Sequence, residues 1–440
     1  MLNVEVLDIS LDGRPVGKLF RFANGTTSPI VRFVADDDFA EDPQQATLSA
    51  SMRASDPAQQ AALWKDIKSP IFNGADGRLP VFFQNMLPEG VFRTHLAQER
   101  GCREDDHFAL FAASGLDLPG AVKALPAELS RAELARLVTQ ENDALEMSIT
   151  ADPLPLGVSI SGMQPKLGLI EQGGRYVARK RHGVSRIIGK LGQMDRPMLP
   201  EVEDLSLTLA GAAGANVCEH QLVSLQKLDF AHGYTLGGSG NFLAVTRFDR
   251  EGARRIHCEV FSQALTVDPR QKYTGATYAA IAGLMMRYPD SLGVSAVQEL
   301  LRLITINELL GNFDGHLQNF ALLYPDGRTP VMSKAFDIVA WSVYISGRGN
   351  ALALYRTDAN DQARIAKTLG PAALREFCNR VGLPELSFSK VIRDTVARAL
   401  EQWPDMIANS LILDAQKERL LEHIYAHPFA QRKIKTMPRV

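Results

Sequence analysis

The residues most able to do chemistry lie in NELLGNFDGHLQNFALLY, residues 307–324, where Asp314 and Asn319 stand five positions apart. An aspartate followed at that distance by an asparagine, between a helix and a strand-like run, has the spacing of a phosphotransferase catalytic loop. There the carboxylate accepts a hydroxyl proton and the amide holds a magnesium ion. The same two residues also suit an Asp-Gly turn whose asparagine caps a neighbour. A second carboxylate, Asp337 in AFDIV, lies within an apolar, strand-like run. Burying it costs several kcal/mol unless it is paired or binds a cation, so it is either a second metal ligand or one half of a buried ion pair.

Upstream, SISGMQPK (residues 159–166) is a small polar turn suited to laying backbone amides over phosphates. Lys190 projects from the apolar run RIIGK, as a phosphate-pairing lysine does, although a strand-end lysine can also snorkel to solvent. Glu203 follows at the start of a predicted helix. It either pairs with Lys190 or joins Glu201 and Asp204 in favouring a helix N-terminus. Neither G-x-x-x-x-G-K-[ST] nor G-x-G-x-x-G occurs, which disfavours a P-loop NTPase and a dinucleotide-binding fold. In order, a glycine-containing turn, a strand lysine, a helix glutamate, a linker at RFDR, the D-x-x-x-x-N loop and a later aspartate form a bilobal plan for phosphoryl transfer.

The elements needed to position these residues can be read from periodicity. VEVLDISL and VGKLFRF flank Asp12-Gly13-Arg14-Pro15 as an opening β-hairpin. Helical spacing runs from about residue 84 to 122, broken at LPEG and ended by the turn-rich GLDLPGA, and Ser130 with Glu133 forms a capping box. Residues from about 125 to 156 read as a connection. Short strands and one helix, EVEDLSLTLAGAAGA, then make a small lobe. Beyond Tyr273 the apolar spacing turns to three and four residues and predicts a helical lobe. The expected fold class is α+β and bilobal, with an N-terminal subdomain (1–128), a strand-rich small lobe (129–256) and an all-helical large lobe (257–440).

Composition narrows the classes further. The 48 basic and 50 acidic side chains nearly balance, so the chain as a whole is not built to wrap a polyanion. Its four cysteines lie far apart with no C-x-x-C pair, which suggests free thiols and a cytoplasmic setting. Asp8 and Asp12 interrupt what would be a signal-peptide core, and no membrane span is expected. The run Asp36-Asp37-Asp38 reads as a solvated loop rather than a calcium site.

These motifs resemble the HipA-type serine/threonine kinase toxins of bacterial toxin–antitoxin modules. FANGTTSPIVRF, LSASMR, FQNMLPEGVFR and GLDLPGAV are similar to the family's N-terminal signatures, and SISGMQPKLGL to its phosphate loop. RFDR, HCEVFSQAL with KYTG, NFDGHLQNFAL and AFDIVA resemble, in turn, its interlobe end, the segment that follows, the catalytic loop and the magnesium strand. The resemblance implies ATP and Mg2+ as cofactors, Asp314 as catalytic base, and Asn319 and Asp337 as metal ligands. It also implies ATP contacts from Ser161, Gly162, Gln164, Lys166, Lys190, His316 and the hinge Thr246, Arg247 and Phe248. Ser159 matches the family's autophosphorylated, self-inactivating serine. Val202, Val260 and Gly189 depart from the family pattern.

By the same resemblance the substrate is an aminoacyl-tRNA synthetase, typically the glutamyl enzyme, and phosphorylating it halts translation. The partner is a HipB-like helix-turn-helix antitoxin that supplies most contacts to operator DNA. The basic cluster Arg175, Arg179, Lys180, Arg181 and Arg186 suits DNA, an acidic substrate or plain solvation. Two alternatives share the motifs: a kinase-fold corepressor with little turnover, and a small-molecule phosphotransferase.

Overall fold

A computed structural model describes residues 2–23, 25, 28–130, 133, 145–147, 150–154, 157–159, 164–178, 184–229, 237, 239–356 and 365–431. The chain divides into two compact units. The first comprises Met1–Arg186, Asp249–Pro269 and Leu323–Thr329, and the second Ile187–Phe248, Arg270–Leu322 and Pro330–Val440.

The first unit begins with the expected hairpin, β1 (Leu2–Leu11) and β2 (Arg14–Ala23). Asp12 and Gly13, with φ of 50° and 79°, make the two-residue turn that matches strand twist. β3 (Ile30–Ala35), β4 (Asn73–Gly74) and β5 (Val122–Pro126) complete the order β4-β3-β2-β1-β5, and β6 (Leu145–Met147) pairs in parallel with β1. The connection expected at 125–156 therefore contributes a strand. Alternation along β1 covers both faces of this sheet. Leu7, Ile9 and Leu11 enter a large core with Phe33, Trp64, Phe83 and Phe111, whereas Val4 and Val6 pack with Phe20 and Leu129. The capping box forms as predicted: Glu133 accepts from the Ser130 amide at 2.8 Å, and the Glu133 amide donates to the Ser130 hydroxyl at 3.2 Å.

Two polar clusters inside this unit join distant segments. The Arg250 side chain is fully buried. It donates to Asp117 at 2.9 Å, to Asp249 at 2.7 Å and to the carbonyls of Leu118 and Gly120 at 3.0 and 2.9 Å. Asp117 also accepts from the Ser185 hydroxyl at 2.6 Å and amide at 3.1 Å. Gly120 has φ +67°, and a Cβ there would lie 2.6 Å from the Cys258 amide, so only glycine fits this crossing.

The second cluster surrounds Glu259, on the strand His257–Val260. Its carboxylate accepts from the Ser49 hydroxyl at 2.6 Å, the Ala50 amide at 2.8 Å and the Tyr324 phenol. Burial raises Glu259 to about 7 despite these three donors. The raised value makes the folded state bind a proton that the unfolded chain releases earlier. Stability should therefore fall as pH rises from about 4.5 to about 7, by on the order of 3 kcal/mol. Glu259→Gln should remove that slope. Urea titrations of both proteins across pH 5–8 would test this, and parallel curves would refute it.

The second unit contains the antiparallel strands His220–Ser224, Asn241–Thr246 and Ile187–Lys190, with Asn241–Thr246 in the middle. The helix Leu199–Ala212 follows, with proline in its first turn. The predicted helices then appear as Tyr278–Met286, Gly293–Leu310, Pro371–Val381 and Glu385–Ala408, with a further helix at Asp414–Ala426. Gly382 closes Pro371–Val381 at φ +73°. The second half of the chain is not all helix: Tyr355–Arg356 and Ile365–Ala366 form a short antiparallel pair. Two-residue strands leave no alternating pattern for sequence reading to detect.

Candidate active site

Lys190 ends the strand Ile187–Lys190 and enters the interior of the second unit. Its ammonium binds the carboxylates of Glu203, whose side chain is wholly buried, and Asp337, whose side chain is 25% exposed. Burial alone would depress the lysine, but Asp337 and Glu203 together outweigh it and hold its pKa above the ordinary value. The two sequence readings of Glu203 are thus resolved: Glu201 occupies the first turn of Leu199–Ala212, whereas Glu203 faces Lys190.

Asp337 departs from its predicted setting. It has φ +57°, in the left-handed region, so it cannot continue a strand. The extended run ends near Ala335, which bridges Val217 and donates its amide to the Asn216 carbonyl at 2.7 Å. After the bend, the Ala340 amide donates to Ser206 on the same helix as Glu203, at 2.9 Å. The bend is therefore held on both sides, and it turns the carboxylate toward Lys190 instead of alternating along a sheet. Phe336 lies against Phe248 of the expected hinge, ring centres 5.2 Å apart. Thr246 pairs with Ile187, and Arg247 is buried.

A second group of residues follows the helix Gly293–Leu310, which Gly311 ends at φ +64°. The Asn319 side-chain amide donates to the Asp314 carbonyl at 2.8 Å, closing the D-x-x-x-x-N loop on itself. That bond commits the amide nitrogen, so the Asn319 oxygen is the atom suited to a cation. Asp314 keeps a 42% exposed side chain, with His316 Nε2 3.9 Å from its Oδ1. His316 is buried, and its Nδ1 accepts from the Gln318 amide at 3.3 Å. The Tyr273 phenol also donates to Asp314 Oδ1. Sequence reading gave Tyr273 no role, because a lone aromatic in KYTG carries no chemical spacing.

The residues of the expected phosphate loop belong to the first unit. The Ser159 side chain is buried, with its hydroxyl on the Met86 carbonyl and its amide 3.2 Å from the Asp117 carbonyl. Lys166 is buried at the start of the strand Lys166–Gln172, and Gln164 is half-buried. Ser161 and Gly162 lie outside the described residues, as do Arg179, Lys180 and Arg181. Arg175 and Arg186 are exposed.

A carboxylate and an amide oxygen are hard donors of the kind magnesium takes alongside substrate phosphates. Asp337 and Asn319 match that donor chemistry, and no group of three or more His, Cys, Asp or Glu is gathered as a metal site among the described residues. The four cysteines are free, and burial pushes Cys218 up to about 12, far from a reactive thiolate. Among the described residues no helix is long and apolar enough to cross a membrane.

Residues 158–403 match the HipA-like C-terminal domain, and residues 7–125 the HipA N-terminal domain. The chain is 33% identical to the kinase-family protein Y4dM of Sinorhizobium fredii, with 92% of each covered. It is 25% identical to the serine/threonine-protein kinase toxin HipA of Shewanella oneidensis, over 77% of this chain and 79% of that one. The solved structure of Shewanella oneidensis HipA with HipB and operator DNA superposes with a TM-score of 0.68 at 20% identity, covering 98% of this chain and all of that one.

Proposed function

The chain belongs to the HipA family of serine/threonine-protein kinases, and from that premise we propose that it is the toxin of a toxin–antitoxin module, transferring phosphate from ATP to a serine or threonine of a translation enzyme. The observation that carries this reading is the buried Lys190 ammonium held between Glu203 and Asp337. Three charges gathered in the interior are costly to keep for stability alone, and they suit a site that receives a polyanion and its cation.

Magnesium-bound ATP would supply the phosphoryl group and neutralise its charge. Lys190, oriented by Glu203, would pair with phosphate oxygens, and Asp337 and Asn319 would hold the metal. Asp314 would accept the proton of the acceptor hydroxyl, with Asn319 fixing its backbone. Ser161, Gly162, Gln164 and Lys166 would cradle the phosphates, and His316 and residues 246–248 would complete the nucleotide contacts.

We place autophosphorylation at Ser159. Its hydroxyl is buried against the Met86 carbonyl, so modification requires this segment to leave its seat. A phosphate added there could not return to the same seat, because its charged oxygens have no proton to donate to the Met86 carbonyl, which gives the modification a physical route to shutting off the enzyme. A glutamyl-tRNA synthetase is the proposed substrate class. A HipB-like antitoxin would carry most of the operator contacts, in keeping with the nearly balanced charge of this chain.

Incubation with labelled ATP and magnesium tests the reading. Wild type should label itself at Ser159, and Asp314→Ala should lower the rate about 10²–10⁴-fold. Retained labelling would remove Asp314 as base. Growth arrest that survives Asp314→Ala would instead favour a binding module.

A further inference from the structure

We propose that Tyr273 is a stopper: its phenol holds the place of the acceptor hydroxyl on Asp314 and is displaced when an acceptor segment arrives. The inference rests on Asp314 being the base. A substrate serine or threonine must donate its O–H to that carboxylate before giving up its proton. The Tyr273 phenol already makes that bond, to Oδ1.

The surroundings of Tyr273 suit a side chain that moves on a fixed backbone. The Leu317 amide, within the catalytic loop, donates to the Lys272 carbonyl at 3.2 Å, and the Thr274 amide donates to the Gln271 carbonyl at 2.9 Å. The Arg356 guanidinium holds the Thr274 carbonyl. Tyr273 is 41% exposed, and its ring meets His316 edge-on, ring centres 4.8 Å apart and planes at 84°. Rotation about its side-chain torsions would therefore clear Asp314 without moving the loop.

The benefit of such a stopper follows from the exposure of Asp314. An open base beside a bound nucleotide invites water as acceptor. In that side reaction a water gives its proton to Asp314 while its oxygen bonds the γ-phosphorus, and the bond to the ADP leaving group breaks. A phenol on Oδ1 competes with water but yields to a hydroxyl delivered by a docked protein segment, whose remaining contacts favour the exchange. A residue that merely positioned Asp314 would behave oppositely, since its removal would slow turnover.

The test measures ADP release from ATP and magnesium with water as the acceptor. Tyr273→Ala should raise kcat for ADP release about tenfold, the worth of one hydrogen bond to a charged group, with KM for ATP unchanged. Tyr273→Phe keeps the ring against His316 and removes only the hydroxyl, so a severalfold rise is expected from a variant that folds normally. Unchanged or slower release in both variants, with fluorescent-nucleotide binding intact, overturns the stopper. Asp314→Ala separates the two ideas. If it retains ADP release, the base assignment fails. If it is silent while the Tyr273 variants release ADP no faster than wild type, only the stopper fails.

Discussion

Asp337→Asn is expected to lower phosphoryl transfer about 10³-fold or more while leaving the second unit folded. The substitution preserves shape and tolerates the left-handed backbone at φ +57°, where asparagine is among the few residues at ease. It removes the negative charge that would hold a cation, and loss of metal-centred charge stabilisation is worth several kcal/mol in the transition state. Lys190 loses one carboxylate partner but retains Glu203, so its ammonium is not stranded in the interior. Alanine at the same position is a poorer test, since it would add strain at a positive φ to the loss of charge. Steady-state ADP formation with saturating magnesium, read beside thermal melting, checks the expectation. Activity within tenfold of wild type would show that Asp337 serves the ion pair alone.

The parts of this site that could be read from sequence are those where burial or spacing leaves few options. Lys190 in an apolar run could snorkel or find a carboxylate, and Glu203, the acid a strand and a turn away, is the partner it meets. Asp314 and Asn319 were legible because their spacing lets one side chain close on the other's carbonyl, as the 2.8 Å bond shows. Asp337 stood out because a carboxylate among apolar residues needs a charge partner or a cation, and it does pair with Lys190, but its local structure is not the expected strand. Its apolar neighbours imitate a strand, and a positive φ at a non-glycine residue leaves no mark in composition. Long-range meetings were less legible still. Asp117 in GLDLPGA and Arg250 in RFDR each stood inside a quoted motif, yet nothing local indicates that they bind one another. Glu259, Ser49 and Tyr324 meet in the same way, through chain topology that periodicity does not encode.

That meeting of Asp117 with Arg250 carries the largest stability effect expected in the molecule. Arg250→Ala should destabilise the first unit by about 3–5 kcal/mol, the usual cost of breaking a buried pair from one side. The cost arises chiefly from what is left behind. Asp117 would keep the Ser185 hydroxyl and amide but lose the Arg250 cation, and the Leu118 and Gly120 carbonyls would lose donors in the interior. Asp249 would still accept from the Gly120 amide at 2.8 Å and would likewise lose its cation there. Arg255 continues to bond both carbonyls, which should limit local collapse without restoring the lost charge balance. Arg250→Lys should recover little, because one ammonium cannot reproduce a planar fork that spans Asp117 on one nitrogen and Asp249 on the other. Urea unfolding followed by the fluorescence of Trp64, buried in the first unit's core, reads the change. A midpoint shift equivalent to less than about 1 kcal/mol in Arg250→Ala would show the clamp to be dispensable. The effect should also reach the proposed ATP site through the chain itself, since Ser185 lies five residues before Lys190 and Asp249 directly follows Phe248 of the proposed hinge. Loosening the clamp is therefore expected to raise KM for ATP at temperatures where the first unit is still folded.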